Sequence, residues 1–155
     1  MAKVERFEDL QVWQRARCLA VMIYGLSNKG MFAKDFGLRG QIQRAVVSIV
    51  SNIAEGFDRR SNNQFSQFLE IAVGSASEVR AQLYVALDLG YISQRQFDEA
   101  FSAVVEIGRM LTSFIKYLRT TPNRLYSGNK LSNHQTIKPS NYLTRTIVPV
   151  GALCA

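Results

Sequence analysis

The chain has 155 residues, 47% hydrophobic and 20% charged, which suits a single globular domain rather than a disordered or membrane chain. Nineteen Lys and Arg against twelve Asp and Glu give a net charge of +7, a balance that favours polyanionic partners. No apolar run approaches the roughly 20 residues of a membrane span, and the opening MAKVERFEDL carries acids and no apolar stretch, so neither a membrane partner nor a secretory leader is expected and the expected compartment is the cytoplasm.

In chain order, a first helix is predicted over 8–27. Val12, Ala16, Leu19, Ile23 and Leu26 recur at helical spacing there, and Asn28-Lys29-Gly30 ends the pattern. Asp35 is a good N-cap for a second helix reaching about Arg60. Ser61-x-x-Gln64 and Ser93-x-x-Gln96 are capping-box patterns, which place a third helix at 62–89 and a fourth at 94–119, with Gly90 as the C-cap between them. The third carries the clearest stripe, Phe65, Phe68, Leu69, Ala72, Ala76, Val79, Leu83, Ala86 and Leu87. The fold class expected is therefore all-α, an antiparallel up-down-up-down four-helix bundle over residues 1–119.

Beyond Thr120 lie the chain's three prolines, among Asn, Ser and Thr, with no helical stripe. Residues 120–155 read as a mobile basic tail. Residues 1–119 hold 15 basic against 12 acidic side chains and the tail holds 4 against none, so more than half of the excess charge is in the tail.

Cys18 and Cys154 have neither metal-ligand nor CxxC spacing and are expected as free thiols, and His134 is the only histidine. A histidine-based triad, a metal site and a cofactor are not expected.

The second helix carries too much apolar surface for a free-standing bundle. Ile42, Val46, Ile49 and Ile53 form one stripe, and Val47, Val50, Ala54 and Phe57 widen it to about 200°. In the fourth helix Met110, Phe114 and Tyr117 sit beside the main stripe. These seven flanking residues are the expected subunit interface of a homo-oligomer. The opposite arc of the second helix holds Arg44, Ser48, Ser51, Asn52, Glu55 and Arg59. It offers one carboxylate and no histidine, cysteine or second acid to share proton transfer, so no catalytic residue is assigned and an enzyme is not expected. An enzyme would need Glu55, Arg44 and Asn52 buried together on assembly. Gly56 and Gly74 both fit close approach between helices. Arg59 and Arg60 form a basic corner before the third helix. With Arg15, Arg17, Arg39 and Arg44 they are the candidate contacts to nucleic-acid phosphates, chosen for charge and helical exposure.

FEDLQVW (7–13), FGLRGQIQRAVVSIVSNIAEGF (36–57) and RRSNNQFSQFLEIAVGSASEVRAQLYVALDLGYI (59–92) together resemble the motif blocks of the bacterial 23S ribosomal RNA intervening-sequence proteins, once labelled ribosomal protein S23. The resemblance spans about residues 7–119. It implies an antiparallel four-helix bundle assembled as a homopentamer, similar to the nucleic-acid-binding accessory proteins of diversity-generating retroelements. Ser51, Asn52, Glu55, Gly56, Arg59, Arg60 and Ser61 match the family's second-helix signature, and Gly74, Ser75, Glu78 and Gln82 its third. Asp58 departs from the small residue common there, and the tail matches nothing in the family. The expected function is a non-enzymatic pentamer contacting RNA or DNA in a ribonucleoprotein or mobile-element setting. The alternative is an oligomeric scaffold whose partner is another protein.

Overall fold

Three polar side chains set where the helices begin. Asp35 Oδ1 accepts from the Leu38 amide at 2.9 Å, and Ser61 Oγ from the Gln64 amide at 3.2 Å. Ser93 Oγ accepts from the Gln96 amide at 3.2 Å while the Gln96 side chain accepts from the Ser93 amide at 2.9 Å, a complete capping box. At Ser61 only the first half of the box forms.

The computed structural model describes residues 4–59 and 61–122. It contains four long helices: α1, Gln11–Ser27; α2, Phe36–Phe57; α3, Asn62–Asp88; and α4, Gln94–Thr120. All regular structure among the described residues is helical. The first helix starts later than its periodicity indicates, because Phe7–Asp9 form a separate 3-10 turn that packs against α1 and α2. The second ends at Phe57, where the Asp58 amide donates back to Ala54 and Gly56 carbonyls. Gly90, at φ +70°, closes α3. Its amide donates to the Leu87 carbonyl and that of Tyr91 to the Ala86 carbonyl, the paired bonds of a left-handed glycine cap.

Short connections make successive helices antiparallel neighbours, and α1 packs on α4 to close the bundle. The core is aliphatic and aromatic: Leu19, Ile23, Ile42, Ile49, Ile53, Phe65, Leu69, Leu83, Ile107 and Leu111 are fully buried. That closure accounts for much of the apolar surplus. A helix with a neighbour on each side needs an apolar arc wider than one stripe. Met110 and Phe114 are only 8% and 3% exposed, and the Phe114 ring stands edge-on to Phe65 at 5.1 Å. They are core residues and leave little surface for an interface. Val50, Phe57 and Tyr117 are half-buried against the same core, Ala54 is half-buried, and Val47 alone of the seven is exposed, at 41%.

Cys18 is buried and disulfide-bonded rather than the free thiol expected. Cys154, His134, Arg60 and the expected tail from 123 onward lie outside the described residues. Among the described residues no helix is long and apolar enough to cross a membrane.

Candidate nucleic-acid interface

The signature of α2 and α3 first resolves into architecture. Ser48 Oγ and Ser75 Oγ are hydrogen-bonded at 2.8 Å across the two helices. Asn52 donates to the Ser48 carbonyl at 2.8 Å and to its hydroxyl at 3.0 Å. One turn on, Gly56 lies under Phe65 and Phe68, where an added Cβ would stand 2.6 Å from the Phe65 ring. Asn52, Gly56 and Ser75 thus hold the α2–α3 seam, a role that buried or half-buried polar groups fill when each has a partner.

Gly74 behaves differently from the close-approach reading. It is exposed, and a Cβ there would meet no atom within 4 Å. No neighbour inside this chain requires it. Ser51, Glu55 and Glu78 are exposed, Ser61 caps α3, and Gln82 is half-buried. Glu55 pairs with Arg59 one turn later on the same helix. Arg44 lies eleven residues from Glu55, about 16 Å along the axis, so the two do not form a cluster with Asn52 inside one chain.

The five described candidate arginines separate into two groups. Arg39 and Arg44 lie near the start of α2, while Arg59 follows its end. Twenty residues of helix, about 30 Å, separate Arg39 from Arg59. Because α1 and α2 are antiparallel neighbours, Arg15 and Arg17 share the Arg59 end. Several are held in place. Arg39 donates to the Ala33 carbonyl at 2.8 Å and covers the Phe36 ring at 5.0 Å. Arg17 lies over Trp13 at 5.7 Å, and Arg59 over Phe68 at 4.7 Å. Stacking of this kind fixes a guanidinium while leaving its N–H groups to a second partner.

Net charge concentrates less on the bundle than composition implies. The described residues hold 13 basic and 12 acidic side chains. Their pairing is selective, however. Four ion pairs form among the described residues: Arg6–Glu8, Arg59–Glu55, Arg95–Glu99 and Arg119–Glu70. The Arg6 pair holds the Glu8 carboxyl below its ordinary pKa through the hydrogen bond they share. Arg15, Arg17, Arg39 and Arg44 take part in none of these pairs, and neither do Arg80 and Arg109, two arginines not among the sequence-derived candidates.

Arg80 and Arg109 flank a half-open groove of about 430 Å³ between α3 and α4. Gly108 lies in it with open space where a Cβ would be. No single-helix pattern marks this place, because the groove exists only once the two helices are side by side. The one signal in the sequence is a glycine inside α4, which costs about 1 kcal/mol relative to alanine unless something uses it.

A crystal structure of a protein of unknown function from the S23 ribosomal protein family of Bacteroides thetaiotaomicron is similar, at a TM-score of 0.63 and 30% identity over 68% of this chain and 98% of that one. No curated protein matches. The family model described as 23S rRNA-intervening sequence protein matches residues 8–113, which takes in the end of the 3-10 turn, α1 to α3 and most of α4. The chain belongs to the 23S rRNA-intervening sequence protein family.

Proposed function

We propose that this protein is a non-enzymatic homo-oligomer, a pentamer, that contacts RNA through the phosphate backbone in a ribonucleoprotein or mobile-element setting. The observation that carries the reading is the set of arginines on α1 and α2 with no carboxylate partner: Arg15, Arg17, Arg39 and Arg44. An arginine that is already positioned and not neutralised binds phosphate without first breaking an ion pair. The family description, which names an intervening sequence of 23S rRNA, favours RNA over DNA.

Oligomerisation matters to this reading because the arginine groups of one chain are too far apart to make one site. Symmetric copies multiply each group into a ring, and affinity grows with every phosphate contacted. Exposed apolar side chains on α3, Ile71 and Val85, and Leu89 just after it, together with Val47, supply surface for such assembly. They support the scaffold alternative equally, in which a protein partner covers them. The signature carboxylate of α2, Glu55, is exposed and engaged with Arg59, which favours binding over catalysis.

Fluorescence anisotropy with single-stranded and duplex RNA, on wild type and on Arg39→Gln/Arg44→Gln, tests the reading. Weaker binding and a shallower salt dependence in the variant are expected. Binding that is absent in wild type, or equal in both, points to the scaffold.

A further inference from the structure

We propose that the groove between α3 and α4 binds a small organic monophosphate with a flat, mostly apolar body. This site is separate from the RNA contacts of the N-terminal helices and does not depend on them.

The groove is built from chemistry that complements such a ligand. Its floor is apolar, with Val73 on α3 and Val104 on α4. The space above Gly108 is open: a Cβ would meet nothing within 4 Å, and φ at this position is not in the left-handed region, so neither helix contact nor backbone conformation requires glycine. A side chain there would fill the groove. About 430 Å³ falls in the range of small-molecule pockets, roughly 300–1,000 Å³.

The polar groups fix the charge of the ligand. Arg80 and Arg109 line the groove and no carboxylate does. Neither arginine belongs to any of the ion pairs among the described residues. Arg80 is steadied by stacking over Phe101 at 5.5 Å. A guanidinium fork suits a phosphate, which accepts several N–H bonds at once. Two of the three lining hydroxyls, those of Ser77 and Thr112, are committed to backbone carbonyls. Ser77 donates its proton to the Val73 carbonyl at 3.2 Å and Thr112 donates to the Gly108 carbonyl at 2.9 Å. Their oxygens keep lone pairs, so they can accept a hydrogen bond from a ligand N–H or O–H. Inorganic phosphate would satisfy the arginines but leave the apolar floor in water. A planar ring attached to the phosphate covers it.

Aryl phosphates and nucleoside monophosphates share this chemistry, and an amide-resolved NMR titration separates them. The probes are phenyl phosphate, uridine 5′-monophosphate and inorganic phosphate, added to the full chain. One or both organic phosphates are expected to shift the amides of Ser77, Arg80, Gly108, Arg109 and Thr112 together and to saturate, at least tenfold more tightly than inorganic phosphate. The tighter of the two identifies the source. Gly108→Leu, which fills the groove and leaves both arginines, is expected to weaken binding at least tenfold with circular dichroism unchanged. Arg80→Met/Arg109→Met, which keeps the groove open, is expected to weaken it similarly. Shifts spread over the surface, no preference over inorganic phosphate, or full affinity in both variants would overturn the assignment. Loss of RNA binding in Arg39→Gln/Arg44→Gln leaves this result unaffected, so the two readings fail independently.

Discussion

Gly56 of α2 and Phe65 of α3 meet so closely that a Cβ on the glycine would lie 2.6 Å from the Cδ2 of the ring and 2.8 Å from the Cβ of Phe68. Phe65 is fully buried and stands edge-on to Phe57 and Phe114. Gly56→Ala gains about 1 kcal/mol of helix propensity, yet overpacking of this kind costs about 1–3 kcal/mol. A net loss of stability is predicted in urea unfolding. Gly74→Ala, with open space around it, is predicted to stabilise by about 0.5–1 kcal/mol. Midpoints that move in the same direction would contradict this account of the two glycines.

Asn62 ties the start of α3 to the end of α4. It is buried, and its Nδ2 donates to the Leu118 carbonyl at 3.2 Å and the Thr121 carbonyl at 2.9 Å. These are carbonyls that a helix end otherwise leaves without partners. Asn62→Ala is expected to cost about 1–3 kcal/mol and to speed amide exchange in the last turns of α4. Unchanged exchange there would show that the last turns of α4 hold without it.

The helices were legible because their signals are local. Asp35, Ser61 and Ser93 cap what their positions indicate, and Gly90 adopts the positive φ that its place after α3 implies. Gly56 was legible too, but Gly74 was not: the same residue type in the same helical context has a crowded neighbour in one case and none in the other. The apolar surplus of α4 was read as an interface because periodicity measures how wide an arc is and not what covers it. In the folded chain much of that arc, Met110 and Phe114, is inside. The candidate arginines were chosen one helix at a time, whereas Arg80 and Arg109 become a pair only through the packing of α3 on α4.

That difference separates an interface residue from a core residue by experiment. Val47→Glu, at an exposed position of α2, is predicted to lower the mass seen by light scattering while leaving the urea midpoint nearly unchanged. Phe114→Ala is predicted to cost about 3–5 kcal/mol and to unfold the chain rather than dissociate it. A Val47→Glu protein with wild-type mass would remove that part of α2 from the interface.

Tyr91 and Asp35 link the α3–α4 turn to the start of α2. The Tyr91 hydroxyl donates to Asp35 Oδ2 at 3.2 Å, while Oδ1 of the same carboxylate caps α2. Burial first, then the Asp35 charge and the hydrogen bond, push the Tyr91 phenol above its ordinary pKa of 10.0. Folding therefore favours the protonated phenol. That contribution is complete below about pH 10 and is lost as pH rises through the raised native value. Tyr91→Phe is expected to flatten the alkaline decline in stability. Asp35→Asn, which retains an acceptor for the cap, is expected to bring the Tyr91 titration, followed by ultraviolet absorbance, back toward 10.0. A titration that does not move would show that Asp35 contributes nothing to it.

The most direct test of the RNA reading is the salt dependence of single-stranded RNA binding by the full chain and by a chain ending at Pro122. The matching Bacteroides structure is covered almost entirely by the part of this chain it resembles, 98% of its length, which supports folding of the shortened protein. Both chains are predicted to bind, with log K falling against log salt at a slope of about −2 or steeper, the mark of roughly three or more phosphate contacts. Arg39→Gln/Arg44→Gln is predicted to make that slope shallower. Binding that is insensitive to salt, or that disappears with residues beyond Pro122, would contradict an RNA surface on the bundle.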